Sequence, residues 1–90
     1  MMRIWGKLIK DNRLIKDYVA ENYDTSLNRT RKVYACLDEM CYEFDLPKPI
    51  WLESNKKDFI LHDRTRFRQE SFIEGVDFDY MDFQVIEDDY

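Results

Sequence analysis

Ile4-Trp5-Gly6-Lys7-Leu8-Ile9-Lys10, Asp11-Asn12 and Arg13-Leu14-Ile15-Lys16-Asp17-Tyr18-Val19 form the stretch on which the fold turns. Two apolar-rich runs flank a pair of residues that tolerate positive φ, the signature of a β-hairpin. A two-residue loop at Asp11-Asn12 sets Ile9 opposite Leu14, Leu8 opposite Ile15, Trp5 opposite Tyr18 and Ile4 opposite Val19. Ile4, Leu8, Ile15 and Val19 then share the face toward the core. That register also sets Lys7 against Lys16, and directly opposed like charges destabilise a strand pair. A three-residue loop matches Lys7 with Asp17 and Ile9 with Ile15 instead, so the register stays open. A helix competes for the same stretch, because Trp5, Leu8, Ile9, Ile15, Tyr18 and Val19 also recur near helical spacing. Gly6 and Asp11-Asn12-Arg13 oppose it.

Beyond the hairpin lies a polar linker over residues 21–26, where Asp24, Thr25 or Ser26 can cap the next element. Val33, Cys36, Leu37, Met40, Cys41 and Phe44 then follow the i, i+3, i+4, i+7 rule of an amphipathic helix. The helix is expected over about residues 26–45 and ends before Pro47. Pro47-Lys48-Pro49 stiffens the path into Ile50-Trp51-Leu52. Ser54 is a candidate cap for a brief helix over residues 55–61, with Phe59 and either Ile60 or Leu61 turned inward. Residues 62–74 give no clear pattern. Val76, Phe78 and Tyr80 alternate with Asp77 and Asp79 as a strand does. The phase then slips to Met81, Phe83 and Val85, which predicts a bulge or a sharp bend.

The predicted fold class is α+β: a small antiparallel sheet, made of the N-terminal β-hairpin plus the C-terminal strand, packed on one long amphipathic helix, with a short second helix. Ninety residues make a single domain, 1–90. Its 44% apolar and 16% aromatic content supplies the burial that disordered chains lack. No apolar run approaches the roughly 18 residues of a membrane span, and no secretory signal leads the chain. Cys36 and Cys41 are read as reduced, small hydrophobes of a cytoplasmic protein rather than as a disulfide.

Charge is segregated. Residues 1–68 hold all 14 Lys and Arg, whereas residues 69–90 hold Glu70, Glu74, Asp77, Asp79, Asp82, Glu87, Asp88 and Asp89 with no base. The net charge of −5 conceals this asymmetry, which must be resolved within the fold, with a partner or by solvent. The helix repeats the theme. Arg29, Arg31 and Lys32 stand near its start and Asp38, Glu39, Glu43 and Asp45 near its end, against the macrodipole. Contacts of the basic end with the acidic tail, and of the acidic end with Lys7, Lys10 and Lys16, are the expected compensation.

Catalytic and metal constellations are not recognisable. His62 is the one histidine and reads as a surface residue. The two cysteines lack zinc-ligand spacing and fall on the apolar stripe, where thiols are inert. Asp77-Phe78-Asp79-Tyr80-Met81-Asp82 lacks the glycine and the central acid of a calcium loop. With two glycines, no phosphate-cradling loop is available. The chain is therefore read as non-enzymatic, without cofactor or metal.

Two rows remain as a possible interaction surface: Arg64, Arg66 and Arg68, and Asp77, Asp79 and Asp82. In an extended segment the three arginines point one way, as surfaces for phosphate do. At a sequence pI near 4.8 the chain lacks the basic field that drives binding to nucleic acid, so pairing between the two rows is the simpler expectation. The acidic tail over residues 74–90, with aspartates interleaved among aromatics, suits either a solvated strand face or a surface that imitates nucleic acid.

Ile4-Trp5-Gly6-Lys7, Asn12-Arg13-Leu14-Ile15-Lys16-Asp17, Leu37-Asp38-Glu39-Met40-Cys41-Tyr42-Glu43-Phe44-Asp45-Leu46, Lys48-Pro49-Ile50-Trp51-Leu52, Phe72-Ile73-Glu74 and Phe78-Asp79-Tyr80 together resemble a family of small uncharacterised bacterial cytosolic proteins. The likeness spans nearly the whole chain. It implies a free-standing domain, and it brings no activity and no site residues. The expected partner is another protein or a second copy of the chain. Nucleic acid through Arg64, Arg66 and Arg68 is the alternative, and no membrane is expected.

Overall fold

A computed structural model describes residues 1–88. The hairpin forms from β1 (Met2–Lys10) and β2 (Arg13–Asn22), and it resolves the register in an unexpected way. Asp11 and Asn12 both adopt positive φ, 51° and 64°, in a two-residue loop that pairs Lys10 with Arg13 and Ile9 with Leu14. A bulge between Leu8 and Ile9 then shifts the pairing by one, so that Leu8 faces Lys16, Lys7 faces Asp17 and Ile4 faces Ala20. Each predicted register is thus present over part of the hairpin. The bulge removes the Lys7–Lys16 opposition and lets the Trp5 indole N–H donate to Asp17 at 3.0 Å. It also corrects the predicted core face. Ala20 takes the buried place expected for Val19, and Ile15, displaced at the bulge, is 48% exposed.

The chain continues through α1 (Arg29–Phe44), α2 (Glu53–His62), β3 (Arg64–Arg68), a single 3-10 turn (Gln69–Ser71) and β4 (Tyr80–Asp88). Asn28, not Asp24, Thr25 or Ser26, caps α1, its side chain accepting from the Arg31 N–H at 2.9 Å. Asp24 instead holds the preceding turn by accepting from Ser26. At the far end Asp45 takes the left-handed conformation that closes the helix, and Leu46 N–H returns to the Cys41 carbonyl. Every member of the predicted stripe, from Val33 to Phe44, is buried.

The sheet is antiparallel throughout, in the order β2-β1-β4-β3. The predicted C-terminal strand is therefore central, paired with β1 on one side, and a fourth strand joins its other side from a stretch that the sequence left unread. The phase slip predicted at Tyr80-Met81 is no bulge: β4 starts at Tyr80, and Val76 and Phe78 belong to the loop before it, where Phe78 packs edge-on against Phe72 at 5.5 Å. The irregularity in this strand falls opposite Arg3 and Ile4, where Ile86 is the extra residue.

Both helices cover one face of the sheet, giving two layers around one core. Met2, Ile4, Leu8, Met81, Phe83, Thr65 and Phe67 point into that core. Gly6 leaves the space that Met40 of α1 fills. Phe59 of α2 reaches Phe83 at 5.9 Å. The other face, carrying Trp5, Lys7, Tyr80, Asp82 and the three arginines of β3, has no covering layer among the described residues.

Candidate interaction surfaces

Strand alternation separates the residues of β3. Thr65 and Phe67 are buried against the helices, so Arg64, Arg66 and Arg68 project together from the open face. Arg66 lies opposite Asp82 in the ladder, but Arg64 is the residue that takes the carboxylate. Its Nε and Nη2 donate to the two Asp82 oxygens at 3.0 and 2.5 Å, a bidentate pair. Lys7 approaches from β1 at 3.8 Å. Asp82 is only 3% exposed, and two cations from opposite sides are what make its burial tolerable. That hydrogen-bonded pair raises the Arg64 guanidinium above its ordinary value, overcoming a smaller opposing effect of burial.

Arg66 and Arg68 behave differently. Their guanidinium groups lie 4.6 and 5.5 Å from the centre of the Tyr80 ring, a cation–π stack on the neighbouring strand. Neither forms an ion pair among the described residues. The two predicted rows therefore meet at one point, Arg64 with Asp82. Asp77 pairs with Lys10 at 2.9 Å, and Asp79 accepts from the Asp11 N–H at the hairpin tip at 3.0 Å. Among the carboxylates that a nucleic-acid mimic would display, Asp77, Asp79 and Asp82 are each engaged by a donor of the chain itself.

Part of the remaining charge split resolves in the same way. Arg29 of α1 donates to Asp88 at 2.8 Å and to Asp63 at 2.7 Å, so the basic start of the helix does meet the acidic tail. Arg3 stands 4.0 Å from Glu87. Asp89 lies outside the described residues. The acidic end of α1 corrects the expectation: Asp38 pairs with Lys48 and Glu39 accepts from Tyr18, rather than either meeting Lys7, Lys10 or Lys16. Lys7 projects from the sheet face away from α1, and Lys7 and Lys10 serve β4 and its preceding loop.

A groove of about 600 Å³ runs beside the arginines, between β3 and the flank of α2 that carries Ser54, Asp58 and His62. Its floor is a buried polar hub. The Asn55 amide nitrogen donates to Thr65 Oγ1 at 2.9 Å and to the Arg66 carbonyl at 3.0 Å. Its oxygen accepts from the Leu52 N–H at 3.0 Å and from Ser71 Oγ at 3.4 Å. All four hydrogen-bonding positions of this amide are used. Asn55 thereby also satisfies a carbonyl on the outer edge of β3, which would otherwise invite pairing with another strand. It replaces the predicted Ser54 as the residue that organises the start of α2.

A second surface lies on the opposite flank of α2. Phe59 turns inward, but Ile60 and Leu61 are 81% and 67% exposed, contrary to the expectation that one of them joins the core. Three consecutive apolar residues cannot all face one side of a helix, and Phe59 fills the space beside Trp51. Trp51 is ringed edge-on by Tyr34, Phe59, Phe67 and Phe83, at 6.1, 5.5, 4.9 and 6.1 Å. Its buried indole N–H has no hydrogen-bond partner among the described residues. Val33, Tyr34, Trp51, Phe59 and Ile60 line an apolar cleft of about 260 Å³ between α1 and α2, with Arg29 and Lys56 at its rim.

The nucleophile candidates sit elsewhere. Cys36 and Cys41 are buried in the core, and burial, reinforced by nearby carboxylates, pushes each thiol up to about 11. His62 is exposed at the end of α2. Among the described residues no group of three or more His, Cys, Asp or Glu is placed to hold a metal ion. No helix among them is long and apolar enough to cross a membrane. No family model, curated protein or solved structure matches the chain.

Proposed function

We propose that this chain is a non-enzymatic docking module that binds a protein, either a second copy of itself or another chain, through the apolar surface between α1 and α2. One observation carries this reading: α2 turns Ile60 and Leu61 outward, and Ile60 lines the Trp51 cleft. Covering two such side chains contributes roughly 1.5–3 kcal/mol each. A small domain does not gain from leaving them in water, and contiguous exposed apolar residues mark interaction sites. Trp51 and Tyr34 add the aromatic character of interface centres, and Arg29 and Lys56 supply a charged rim. The inert thiols support the non-enzymatic half of the reading.

Sedimentation velocity across a concentration series tests self-association, and cross-linking in a cell extract captures a foreign partner. Ile60→Glu with Leu61→Glu places two charges on the patch and is expected to abolish either assembly while leaving the circular dichroism spectrum unchanged. Assembly that survives this double substitution removes the patch from consideration.

A further inference from the structure

We propose that Arg66 and Arg68, together with the groove between β3 and α2, form a binding site for a compact phosphate monoester. This inference does not rest on the docking surface, whose Trp51 cleft is lined by a different set of residues. It begins from an inequality within one row. Arg64 has its counter-ion in Asp82, whereas Arg66 and Arg68, two positions apart on the same strand face, share one tyrosine ring and no carboxylate. Their Cα atoms stand roughly 7 Å apart, from the rise of an extended strand. Two like charges at that separation repel each other, and an anion set between them turns the repulsion into attraction.

Tyr80 makes the pair fit for this work. A guanidinium held against a ring keeps its N–H groups free to donate in the forked geometry that phosphate oxygens accept. Side-chain freedom is already restricted before binding, so less entropy is lost when the anion arrives. Ser54 and His62 stand in the same groove as further donors. A volume of about 600 Å³ falls within the range of small-ligand sites and exceeds what a bare phosphate fills, so it accommodates the organic part of a monoester.

The groove also discriminates. Asp58 and Glu70 line it, and the whole chain carries a net charge of −5. A continuous phosphate backbone meets those carboxylates at every placement, and such polymers depend on the extended positive field that is missing here.

The test follows the arginine side-chain Nε–Hε resonances of isotope-labelled full-length chain by NMR. Separate arms use adenosine monophosphate, a short peptide with a single phosphoserine, and an oligodeoxythymidylate. Saturable, joint movement of Arg66 and Arg68 with Arg64 unmoved is the expected result in at least one monoester arm. The arm that saturates at lower concentration identifies the source of the phosphate as a nucleotide or a modified side chain. Replacing each arginine by glutamine is expected to weaken binding by about tenfold or more. Should the Arg66→Gln, Arg68→Gln double variant lose its fold, Arg66→Lys with Arg68→Lys keeps the charge and removes the fork, and a similar weakening is expected. Drift without saturation in both monoester arms overturns the proposal. So does unchanged affinity in either double variant, or tighter saturation by the oligonucleotide than by either monoester.

Discussion

Gly6→Ala is the smallest change that interrogates how α1 lies on the sheet. A Cβ at this position meets Met40 Sδ at 1.9 Å, Cε at 2.7 Å and Cγ at 3.0 Å. Comfortable separations between such atoms are roughly 3.5–4.0 Å, so the sulfur must retreat by about 2 Å. Met40 is flexible, but it is fully buried, and three of its atoms are implicated rather than its tip alone. Overpacking of this kind costs about 1–3 kcal/mol. Replacing glycine also restricts the unfolded chain, which offsets roughly 0.4–1 kcal/mol. The balance is a loss of about 1–2 kcal/mol, and each kcal/mol lowers Tm by roughly 4–8 °C in a domain this small. Urea unfolding followed by tryptophan fluorescence measures it. Met40→Ala alone costs about 2–5 kcal/mol by leaving a cavity, but combined with Gly6→Ala it relieves the clash, so the double variant loses less than the sum of the singles. A Gly6→Ala protein as stable as the parent, or a strictly additive pair, would falsify this account of the α1–β1 contact.

Asp82→Asn keeps the shape of the side chain and removes its charge, leaving Arg64 and Lys7 beside a neutral amide. Because Arg64 is partly solvated, the expected loss is about 1–3 kcal/mol rather than the full cost of an orphaned buried ion, and an unchanged denaturation midpoint contradicts the role given to Asp82. Cys36 and Cys41, with thiols near 11, hold only about one part in ten thousand as thiolate at neutral pH, so alkylation by iodoacetamide is expected to be negligible in the native protein and rapid in denaturant. Mass spectrometry reads this directly, and equal rates in the two states place the thiols outside the core.

The hairpin and α1 were legible because their patterns are local. Asp11-Asn12 can take positive φ wherever it stands, and the α1 stripe repeats often enough to fix its buried side. β3 was not legible as a strand. Arg64-Thr65-Arg66-Phe67-Arg68 has only two apolar residues, and it is strand because β4 and Asn55 satisfy its backbone from outside. Val76 and Phe78 imitated strand alternation because Phe78 needs burial, which a loop supplies through Phe72. In α2 the consecutive Phe59, Ile60 and Leu61 offer no periodicity that could choose an inward side. The arginine row could be seen as a row, but not the division within it. Which arginine holds Asp82 depends on cross-strand register, and register between distant strands leaves no mark in either strand alone.

The position of β4 has a consequence for how this molecule comes into being. The strand order sets the last of the described strands to be synthesised between the first and third. Until residues 80–88 emerge from the ribosome, the hairpin and β3 have no bridge, Lys7 and Arg64 lack Asp82, and Arg29 lacks Asp88. The nascent chain for that interval has an open apolar face, and its core closes only by joining segments far apart in the sequence. Such long-range closure is slow compared with local folding. Closure of the sheet and the pairing of Asp82 with Arg64 and Lys7 are then a single event, brought about by one strand.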